Sequence, residues 1–331
     1  MFGFLKSARP RSTQTPLTLH WAQGPTMGTQ WIAQFVASAQ AYARIVDQLQ
    51  GAVDLVDRQM STWKRGSDLN RFNAAPVGDW VAVPPELAFV AAQALSIGRT
   101  TSGAFDITLG AQVNAWGFGP EGMTEAPQSS QPAAGPMSVE VRSDPPALRK
   151  SLALSLDLSG IAKGYGVDLM AEVLEQAGIA DYLVTLDGEL RCKGRKPGSS
   201  GSWSIALHAP LPGAPRAWDI LEPQDGSLAT SGDYRHFRIH DGRVLAHTID
   251  PATGRPLESG IASVTVFDRH CWRADALATA LMVLGPQKGV AIAQAREIPA
   301  LFLLRDKGGI VERATGAFNL LCQRNPSGHE G

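Results

Sequence analysis

The sequence predicts an α+β fold in which mixed, largely antiparallel sheets pack against a few helices. The 331 residues are 44% hydrophobic and 18% charged, as in an ordinary globular protein. Several short segments with strand patterning follow one another without a helix between them, and helical segments are few. A regularly alternating parallel fold would place a helix after nearly every strand. We therefore expect an α+β arrangement in one large domain or two closely packed ones.

The first part of the chain is predicted to hold one strand and two helices. A polar lead covers residues 1–25, and residues 30–36 read as a short strand. Apolar residues then recur at steps of three and four on one helical face: Val46, Leu49, Val53, Val56 and Met60. A second helix is predicted over 85–97, because proline suits a first turn and Ala and Leu favour the body. The composition of residues 120–136 is typical of a mobile loop.

The second part continues with strands and helices of the same kinds. Four leucines alternate with small or polar residues up to Gly160 and predict a strand: Leu152, Leu154, Leu156 and Leu158. A helix follows, with Val167, Met170, Leu174 and Ala177 on one side. Further strands are predicted at 182–186, 203–207, 237–239 and 262–267, and further helices at 274–284 and 288–295.

Charge and cysteine usage exclude several classes of function. The formal net charge is −1 and no Lys/Arg run exceeds a pair, which argues against a nucleic-acid partner and favours a small molecule or a protein. Three scattered cysteines without a CxxC pair support neither a disulfide framework nor a zinc site, and we expect buried thiols. No secretion signal or transmembrane segment is visible, so a cytoplasmic location is expected, with a periplasmic, membrane-anchored form if a leader was removed.

Two segments have the residue types that bind phosphate and metal. Residues 160–168 (GIAKGYGVD) lie between a predicted strand and a helix, where backbone N–H groups can face a phosphate. They match neither the P-loop nor the dinucleotide fingerprint, and a tight structural turn is an equal alternative. Asp275 and Thr279 lie four apart on one helical face and offer two hard oxygen ligands for magnesium. The alternative is that Asp275 complements the helix dipole and Thr279 bonds to its own helix.

Three other segments have two interpretations each. His247, before a Pro/Gly turn, is either a general base or a structural histidine. Residues 229–234 (ATSGDY) either present hydroxyls to a ligand or form an ordinary loop. Phe105, in the Gly/Thr-rich segment 101–110, belongs either to the core or to a ring-stacking surface.

Together, seven blocks in one order resemble the ApbE family, which is known for FAD:protein FMN transferase activity. The blocks are TMGT (26–29), MSTW with DLNRFN (60–73), GAFDITLG (103–110), DLSGIAKGYGVD (157–168), ATSGDY (229–234), HTIDPATG (247–254) and ADALATALMVLG (274–285). The resemblance implies a single ApbE-like, T-fold-like catalytic domain over 26–317 and a tail over 318–331.

The resemblance also implies a substrate, a metal and roles for particular residues. FAD is the expected substrate, and its contacts are expected at Met27, Trp63, Ala104, Phe105, Asp106, Asp157, Lys163 and Thr248. Mg²⁺ is expected on the carbonyl of Gly160, the carboxylate of Asp275 and the hydroxyl of Thr279. His247 matches the proposed base, and Lys163 is expected to assist the magnesium ion in neutralising charge on the phosphates. The expected partner is an acceptor flavoprotein with a Ser or Thr acceptor motif.

Two departures from the family pattern stand out. Where relatives usually have paired glycines, this chain has Asp187 and Gly188, so Asp187 is expected to add a contact or to change the backbone approach to the nucleotide. Many relatives carry a lipid-attachment cysteine near the start, and here the first cysteine is Cys192. Two other functions remain open: an FAD pyrophosphatase that uses water, and a non-catalytic FAD-binding or delivery protein.

Overall fold

The computed structural model describes residues 16–122, 132–198, 201–210, 216–234, 237–240 and 243–321. In chain order the strands are β1 (Leu17–Thr26), β2 (Thr29–Ser38), β3 (Val81–Ala82), β4 (Val139–Ser143), β5 (Pro146–Lys150), β6 (Tyr182–Leu186), β7 (Glu189–Lys193), β8 (Ile205–His208), β9 (Ala217–Leu221), β10 (Gly226–Gly232), β11 (Phe237–His240), β12 (Arg243–Ala246), β13 (Ile249–Asp250), β14 (Arg255–Pro256), β15 (Ile261–Asp268), β16 (Ala300–Asp306) and β17 (Gly309–Thr315). The helices are α1 (Ala39–Met60), α2 (Asp68–Ala74), α3 (Pro85–Thr100), α4 (Gly110–Ala115), α5 (Ser159–Gln176) and α6 (Cys271–Ala295).

An eight-stranded sheet forms the centre of the molecule, in the order β1-β2-β6-β7-β10-β15-β16-β17. Every neighbouring pair in it is antiparallel. The smaller sheets are a three-stranded sheet and two-stranded hairpins. The α+β class with largely antiparallel sheets is therefore confirmed.

Two hairpin turns lie side by side at one end of this sheet. Met27 and Gly28 join β1 to β2 with φ of 46° and 74°, and Asp187 and Gly188 join β6 to β7 with φ of 51° and 109°. Positive φ at both central residues is what a type I′ turn needs, and such a turn matches the twist of the strands. Pairing of Trp31 with Leu186 places the two turns next to each other.

The core lies mainly between the sheet and helices α1, α5 and α6. The predicted face of α1 is confirmed except at one position, because Ile45 is buried while Val46 is only half-buried. Clusters on both halves of the sheet meet at Met27, whose side chain packs against each of them. The opposite face of the sheet is partly covered by β8, β9 and the segment before β8, through Ile205, Leu221 and Trp203.

Helix α6 joins the two predicted helices 274–284 and 288–295 into one bent element. The bend lies at Gly285, with φ 79° and ψ 176°, immediately before Pro286. By length and composition α6 could cross a membrane, which the sequence had not indicated. In this fold it packs between α5 and the strands β10 and β15, and its central residues Ala276, Ala278 and Ala280 are fully buried.

Three stretches differ from the sequence-based prediction. Residues 151–158 are not a strand but an irregular segment whose backbone bonds to the 107–110 loop. Residues 17–25, predicted as lead, belong to β1; its apolar side chains Leu17 and Trp21 are exposed at the sheet edge, so no buried pattern marks it. In the predicted tail, Phe318 is buried in a short 3₁₀ helix.

Some predictions lie partly or wholly outside the described residues. Residues 123–131 of the predicted mobile loop, the lead up to residue 15 and Cys322 are among them. The other two cysteines, Cys192 and Cys271, are free and buried, as expected. Burial raises the pKa of the Cys192 thiol to about 12, so that thiol stays protonated at neutral pH.

Candidate active site

The candidate active site is built around the crossing of α5 and α6. The backbone N–H of Gly164 donates to Asp275 Oδ2 at 3.1 Å. A Cβ added to Gly164 would lie 2.5 Å from the carbonyl oxygen of Cys271 and 2.8 Å from the Cα of Trp272. The helices can therefore approach this closely only because residue 164 has no side chain.

The three residues expected to bind metal lie on facing parts of these helices. Asp275 is 4% exposed, and Thr279 follows it by one turn on α6. A Cβ at Gly160 would lie 3.4 Å from Thr279 Oγ1 and 3.1 Å from Cε2 of Phe105. The absence of a side chain at Gly160 thus leaves a small space next to the Thr279 hydroxyl.

The chemistry of these groups fits a hard cation. In a regular helix the carbonyl of Gly160 accepts from the N–H of Gly164, and this N–H is also within 3.1 Å of Asp275 Oδ2. A carbonyl has two lone pairs, and a carboxylate has a second oxygen, so both can serve a cation with the Thr279 hydroxyl. Mg²⁺ takes few protein oxygens and keeps its other positions for water and phosphate. Within the described ranges no group of three or more His, Cys, Asp or Glu side chains is arranged to hold a metal.

Lys163 lies beside this crossing in a cluster of carboxylates. Its Nζ is 3.1 Å from Glu189 Oε1 and 3.3 Å from Asp187 Oδ2. Burial lowers the pKa of Lys163, but Glu189, Asp275 and Asp187 outweigh burial and hold that pKa above its ordinary value. Asp187 thus pairs with Lys163 in this structure, and its expected contact with the nucleotide stays a prediction.

Burial also raises the pKa of two of the three carboxyl groups near Lys163. It raises the pKa of Asp275 to about 6, although Lys163 and the Gly164 N–H oppose the shift. It raises the pKa of Glu189 to about 8, with Lys163 lowering it and the negative charges of Asp275 and Asp187 raising it. One ammonium among three carboxyl groups leaves excess negative charge, so a cation or a proton is favoured there.

The loop with Ala104, Phe105 and Asp106 lies against the segment that begins α5. The Asp157 N–H donates to the carbonyl of Ile107 at 2.8 Å. Phe105 is 4% exposed and Ala104 8% exposed. The structure thus places Phe105 in the core, with its ring edge beside Gly160.

The two aspartates of this region each close a local turn. Asp106 Oδ1 accepts from the N–H and the hydroxyl of Thr108, and burial raises the pKa of Asp106 above its ordinary value against these bonds. Asp157 Oδ1 accepts from the N–H and hydroxyl of Ser159. The N–H of Gly135 also bonds to the Asp106 carboxyl group, and because a carboxylate accepts several hydrogen bonds, either aspartate can accept a further one from a ligand.

Met27 and Trp63 lie on the α1 side of the site. Met27 Cε is 3.7 Å from the position of a Cβ at Gly166, so the side chain reaches α5 from the hairpin turn. Trp63 follows the end of α1 and is 64% exposed. An exposed indole can stack on a flat ring, as expected for the flavin position.

His247 and Thr248 lie between β12 and β13. His247 is half-buried and Thr248 is buried, and the Thr248 carbonyl accepts from the Leu257 N–H at 2.8 Å. The segment 133–135 connects the turn after them to the Asp106 loop. The Ala133 N–H donates to the Pro251 carbonyl in the turn, and the Gly135 N–H donates to Thr108 Oγ1 in the loop. The roles predicted for His247 and Thr248 stay predictions.

Two site residues were not singled out from the sequence. Ser231 Oγ lies 3.0 Å from Thr279 Oγ1, and the only signal for it was the hydroxyl-rich block 229–234. Glu189 is 3% exposed and pairs with Lys163. The feature that could have revealed Glu189 is its pairing, as a charged residue, with the apolar Leu186 on the buried face of the β6–β7 hairpin.

A cavity of about 510 Å³ lies on the opposite face of the sheet. Its lining includes the hydroxyl residues Thr185, Thr230 and Thr265, the strand β8, and the turn from Asp187 to Glu189. That turn therefore borders both the cavity and the Lys163 cluster. The described lining contains no Lys or Arg.

Comparison with known proteins gives one consistent result. Residues 27–302 match the model of the ApbE family. A Vibrio cholerae protein named FAD:protein FMN transferase is 37% identical over 305 residues, covering 89% of this chain and 90% of the relative. The protein of the same name from Escherichia coli K12 is 36% identical, covering 86% of this chain and 84% of the relative.

Solved structures agree with the sequence relatives. The apo flavinyl transferase ApbE of Pseudomonas stutzeri superposes with a TM-score of 0.82 at 37% identity, covering 93% of this chain and 98% of that one. The ApbE protein of Thermotoga maritima superposes with a TM-score of 0.79 at 26% identity, covering 93% of this chain and 100% of that one. The resemblance found in the seven sequence blocks is thereby confirmed, and this chain belongs to the ApbE family.

Proposed function

We propose that this chain is an FAD:protein FMN transferase that moves FMN from FAD to a Ser or Thr hydroxyl of an acceptor flavoprotein. The observation that carries the proposal is the arrangement of Gly160, Asp275 and Thr279 beside Lys163, in a chain whose relatives bear that name. Such oxygen ligands next to a fixed ammonium suit the transfer of a charged phosphoryl group.

The reaction exchanges the phosphoanhydride link of FAD for a phosphoester link to the acceptor. The acceptor oxygen bonds to the FMN-side phosphorus of FAD, the bond from that phosphorus to the bridging oxygen breaks, and AMP leaves with that oxygen. The acceptor proton goes to a base. This chemistry needs little covalent help, because in-line positioning and charge neutralisation account for most of the catalysis.

The residues of the chain divide this work. A magnesium ion held by Gly160, Asp275 and Thr279 would neutralise charge on the pyrophosphate when bound. Lys163 adds a second positive charge, kept in place by Glu189 and Asp187. His247 takes the proton from the acceptor hydroxyl.

The remaining predicted residues hold FAD in this proposal. Trp63 stacks on the flavin and Met27 supports it from the hairpin turn. The segment Ala104, Phe105 and Asp106 lies with Asp157 and Thr248 along the rest of the dinucleotide.

Two other functions use the same pocket and are separated by their products. An FAD pyrophosphatase would release free FMN and AMP, because water replaces the acceptor hydroxyl. A non-catalytic FAD carrier would release neither. The buried Asp275 beside Lys163 favours catalysis, since desolvating a carboxylate is costly and a carrier does not need it.

The test is to incubate the protein with FAD, Mg²⁺ and a candidate acceptor domain and to weigh the acceptor by mass spectrometry. We expect an FMN adduct on the acceptor and an equal amount of AMP. An acceptor whose Ser or Thr is replaced by Ala is the control, and it should gain no mass. Free FMN with an unmodified acceptor would support the pyrophosphatase instead.

Variants in the same assay test the residue roles. Asp275→Ala should abolish transfer while FAD binding weakens less, and Asp54→Ala, on the outer face of α1, is the matched control. His247→Ala should slow transfer on the order of a hundredfold with FAD binding retained. Unchanged transfer by Asp275→Ala after chelator treatment would remove the metal from the mechanism.

A further inference from the structure

We propose that Asp168 is a positioning residue that holds the first turn of α6, and through it the Asp275 carboxylate, in place, and that Arg191 holds Asp168. The inference rests on the proposed metal role of Asp275. Asp168 is the last residue of the block 157–168, and the reaction as described above makes no use of it.

The Asp168 side chain connects three elements of the fold. It lies in α5 and is 3% exposed. Its Oδ1 accepts from Nη1 of Arg191, on β7, at 2.8 Å. Its Oδ2 accepts from the N–H of Trp272, in the first turn of α6, at 3.0 Å, and the N–H of Cys271 also bonds to this carboxyl group.

Helix α6 needs this partner because it has no side-chain cap of its own. The residue at its N-cap position, His270, makes no capping bond. The first N–H groups of a helix have no partner within the helix, and a negative charge there is favourable. Asp168 thus caps α6 from a different helix.

A second carboxylate ties the same two helices in the opposite direction. Asp275 of α6 accepts from the Gly164 N–H of α5, while Asp168 of α5 accepts from Trp272 of α6. Gly164 and Asp168 are four apart, and Asp275 lies three residues after Trp272, so each pair spans about one turn. Two such bonds restrict both the sliding and the rotation of α6 against α5.

Strand β7 fixes α5 with a matching pair of contacts. Glu189 pairs with Lys163, and Arg191 pairs with Asp168. The two strand residues are about 7 Å apart along β7, and the two helix residues are about 7.5 Å apart along α5. Along β7 a negative charge precedes a positive one, whereas along α5 a positive charge precedes a negative one. Only one alignment of helix and strand therefore pairs opposite charges at both positions.

Loss of Asp168 should consequently loosen the part of α6 that carries Asp275. Thr279, one turn further on, has a separate contact with Ser231 and should be affected less. We expect metal binding to weaken, because residues that orient metal ligands usually contribute a factor of about 10 to 100 in metal affinity.

The experiment compares Asp168→Asn and Asp168→Ala with the unchanged protein. Asn keeps one oxygen for the Trp272 N–H but loses the charge for Arg191, whereas Ala loses both. The Mg²⁺ concentration for half-maximal transfer should rise about 10 to 100-fold for Ala and less for Asn. The KM for FAD should change less than about twofold, because Asp168 is not among the residues expected to contact FAD.

A second readout does not depend on activity. Amide hydrogen exchange over 271–276, in protein without ligands, should be faster in Asp168→Ala than in the unchanged protein, with Asp168→Asn between them. Tyr182→Phe is the matched control, because it removes a 2.8 Å bond to Glu175 and a bond to Arg191 while it leaves the Arg191–Asp168 pair and α6 unchanged. It should change neither the exchange nor the Mg²⁺ dependence.

The outcomes separate this inference from the proposed function. Unchanged exchange and unchanged Mg²⁺ dependence in Asp168→Asn and, if it folds, Asp168→Ala would overturn the positioning role. If the Ala variant does not fold, Asp168→Asn and Arg191→Lys give the decision. Full transfer by metal-free Asp275→Ala would overturn the metal role, while faster exchange in the Asp168 variants would still show that Asp168 holds α6.

Discussion

Glu189 shows how strongly burial shifts the pKa of a single residue in this site. Its side chain is 3% exposed, one oxygen pairs with Lys163, and Oε2 has no hydrogen-bond partner in the described part of the chain. A buried carboxylate with an unpaired oxygen is unfavourable, so the folded protein holds the Glu189 proton more tightly than the unfolded chain does, although Lys163 opposes this. The pKa of about 8 lies well above the ordinary value of 4.5.

This shift predicts a pH-dependent stability. A carboxyl group with a raised pKa binds its proton more tightly in the folded chain, so its stabilising effect is present below pH 4.5 and is lost as the pH rises towards 8. Glu189→Gln removes the titration. We expect the stability of the Gln variant, relative to the unchanged protein, to increase between pH 5 and pH 8 in urea unfolding.

A matched variant isolates the effect of burial. Glu140→Gln changes a glutamate that is half-exposed and paired with Arg149 at the surface. Urea unfolding of Glu140→Gln over the same pH range shows how the loss of an exposed glutamate alone changes the unfolding free energy. Parallel pH curves for Glu189→Gln would show that Glu189 titrates as an ordinary carboxyl group.

At the residue scale the sequence predicted the spacing of candidate ligands better than their surroundings. The position of Asp275 and Thr279 one turn apart on a helix follows from their spacing, whereas Trp63 was expected at the flavin only from the family resemblance. Glu189 and Ser231 could not be found by those means, because their importance depends on strands that pair only in three dimensions. Phe105 had two interpretations, and its place in the core depends on the helix α3 that packs against its loop.

Among the elements, α5 depends on two glycines with different surroundings. A Cβ at Gly164 would lie 2.5 Å from the backbone of α6, whereas one at Gly166 would meet only side chains, at 3.5 Å or more. Backbone atoms cannot move aside as a flexible side chain can. The same substitution at the two positions therefore tests the helix crossing directly.

Gly164→Ala should destabilise the protein by about 1 to 3 kcal/mol, because it separates two packed helices. Gly166→Ala should be neutral or stabilise by up to about 1 kcal/mol, because alanine favours a helix interior over glycine. Urea unfolding of both variants measures the difference. Equal stability of the two variants would contradict the close approach of α5 and α6 at residue 164.

Elements with a strong apolar period were predictable, and elements without one were not. Helices α1 and α5 and strand β6 follow from their patterns. The leucine alternation at 152–158 was misleading, because the backbone of that segment bonds to the neighbouring loop instead of a ladder. Strand β1 was missed because only Ala22 and Thr26 are buried in it, so no apolar alternation marks it.

For the molecule as a whole, the residues proposed to bind the metal come from parts of the chain that are far apart. Gly160 comes from one half and Asp275 and Thr279 from the other, and Met27 touches both main core clusters. A ligand that binds only the folded protein stabilises it by about 2.7 kcal/mol at one hundred times its dissociation constant. FAD with Mg²⁺ should therefore raise the urea midpoint of the entire transition.

Asp275→Ala provides the comparison for this measurement. With the same concentrations of FAD and Mg²⁺, its midpoint should shift less than that of the unchanged protein. Tyr182→Phe, which lies outside the proposed ligand contacts, should keep the full shift. An equal shift in Asp275→Ala would place the metal away from this carboxylate.

The bond between Gly164 and Asp275 joins residues 111 positions apart in the chain. Closing so long a loop costs conformational entropy before the contact contributes any favourable energy. Contacts of such separation therefore form late in folding. During synthesis the segment with Lys163 and Gly160 is complete long before α6 has been made. A growing or truncated chain that ends before residue 275 therefore lacks the carboxylate altogether, and the proposed metal site at this crossing can form only after most of the polypeptide has been made.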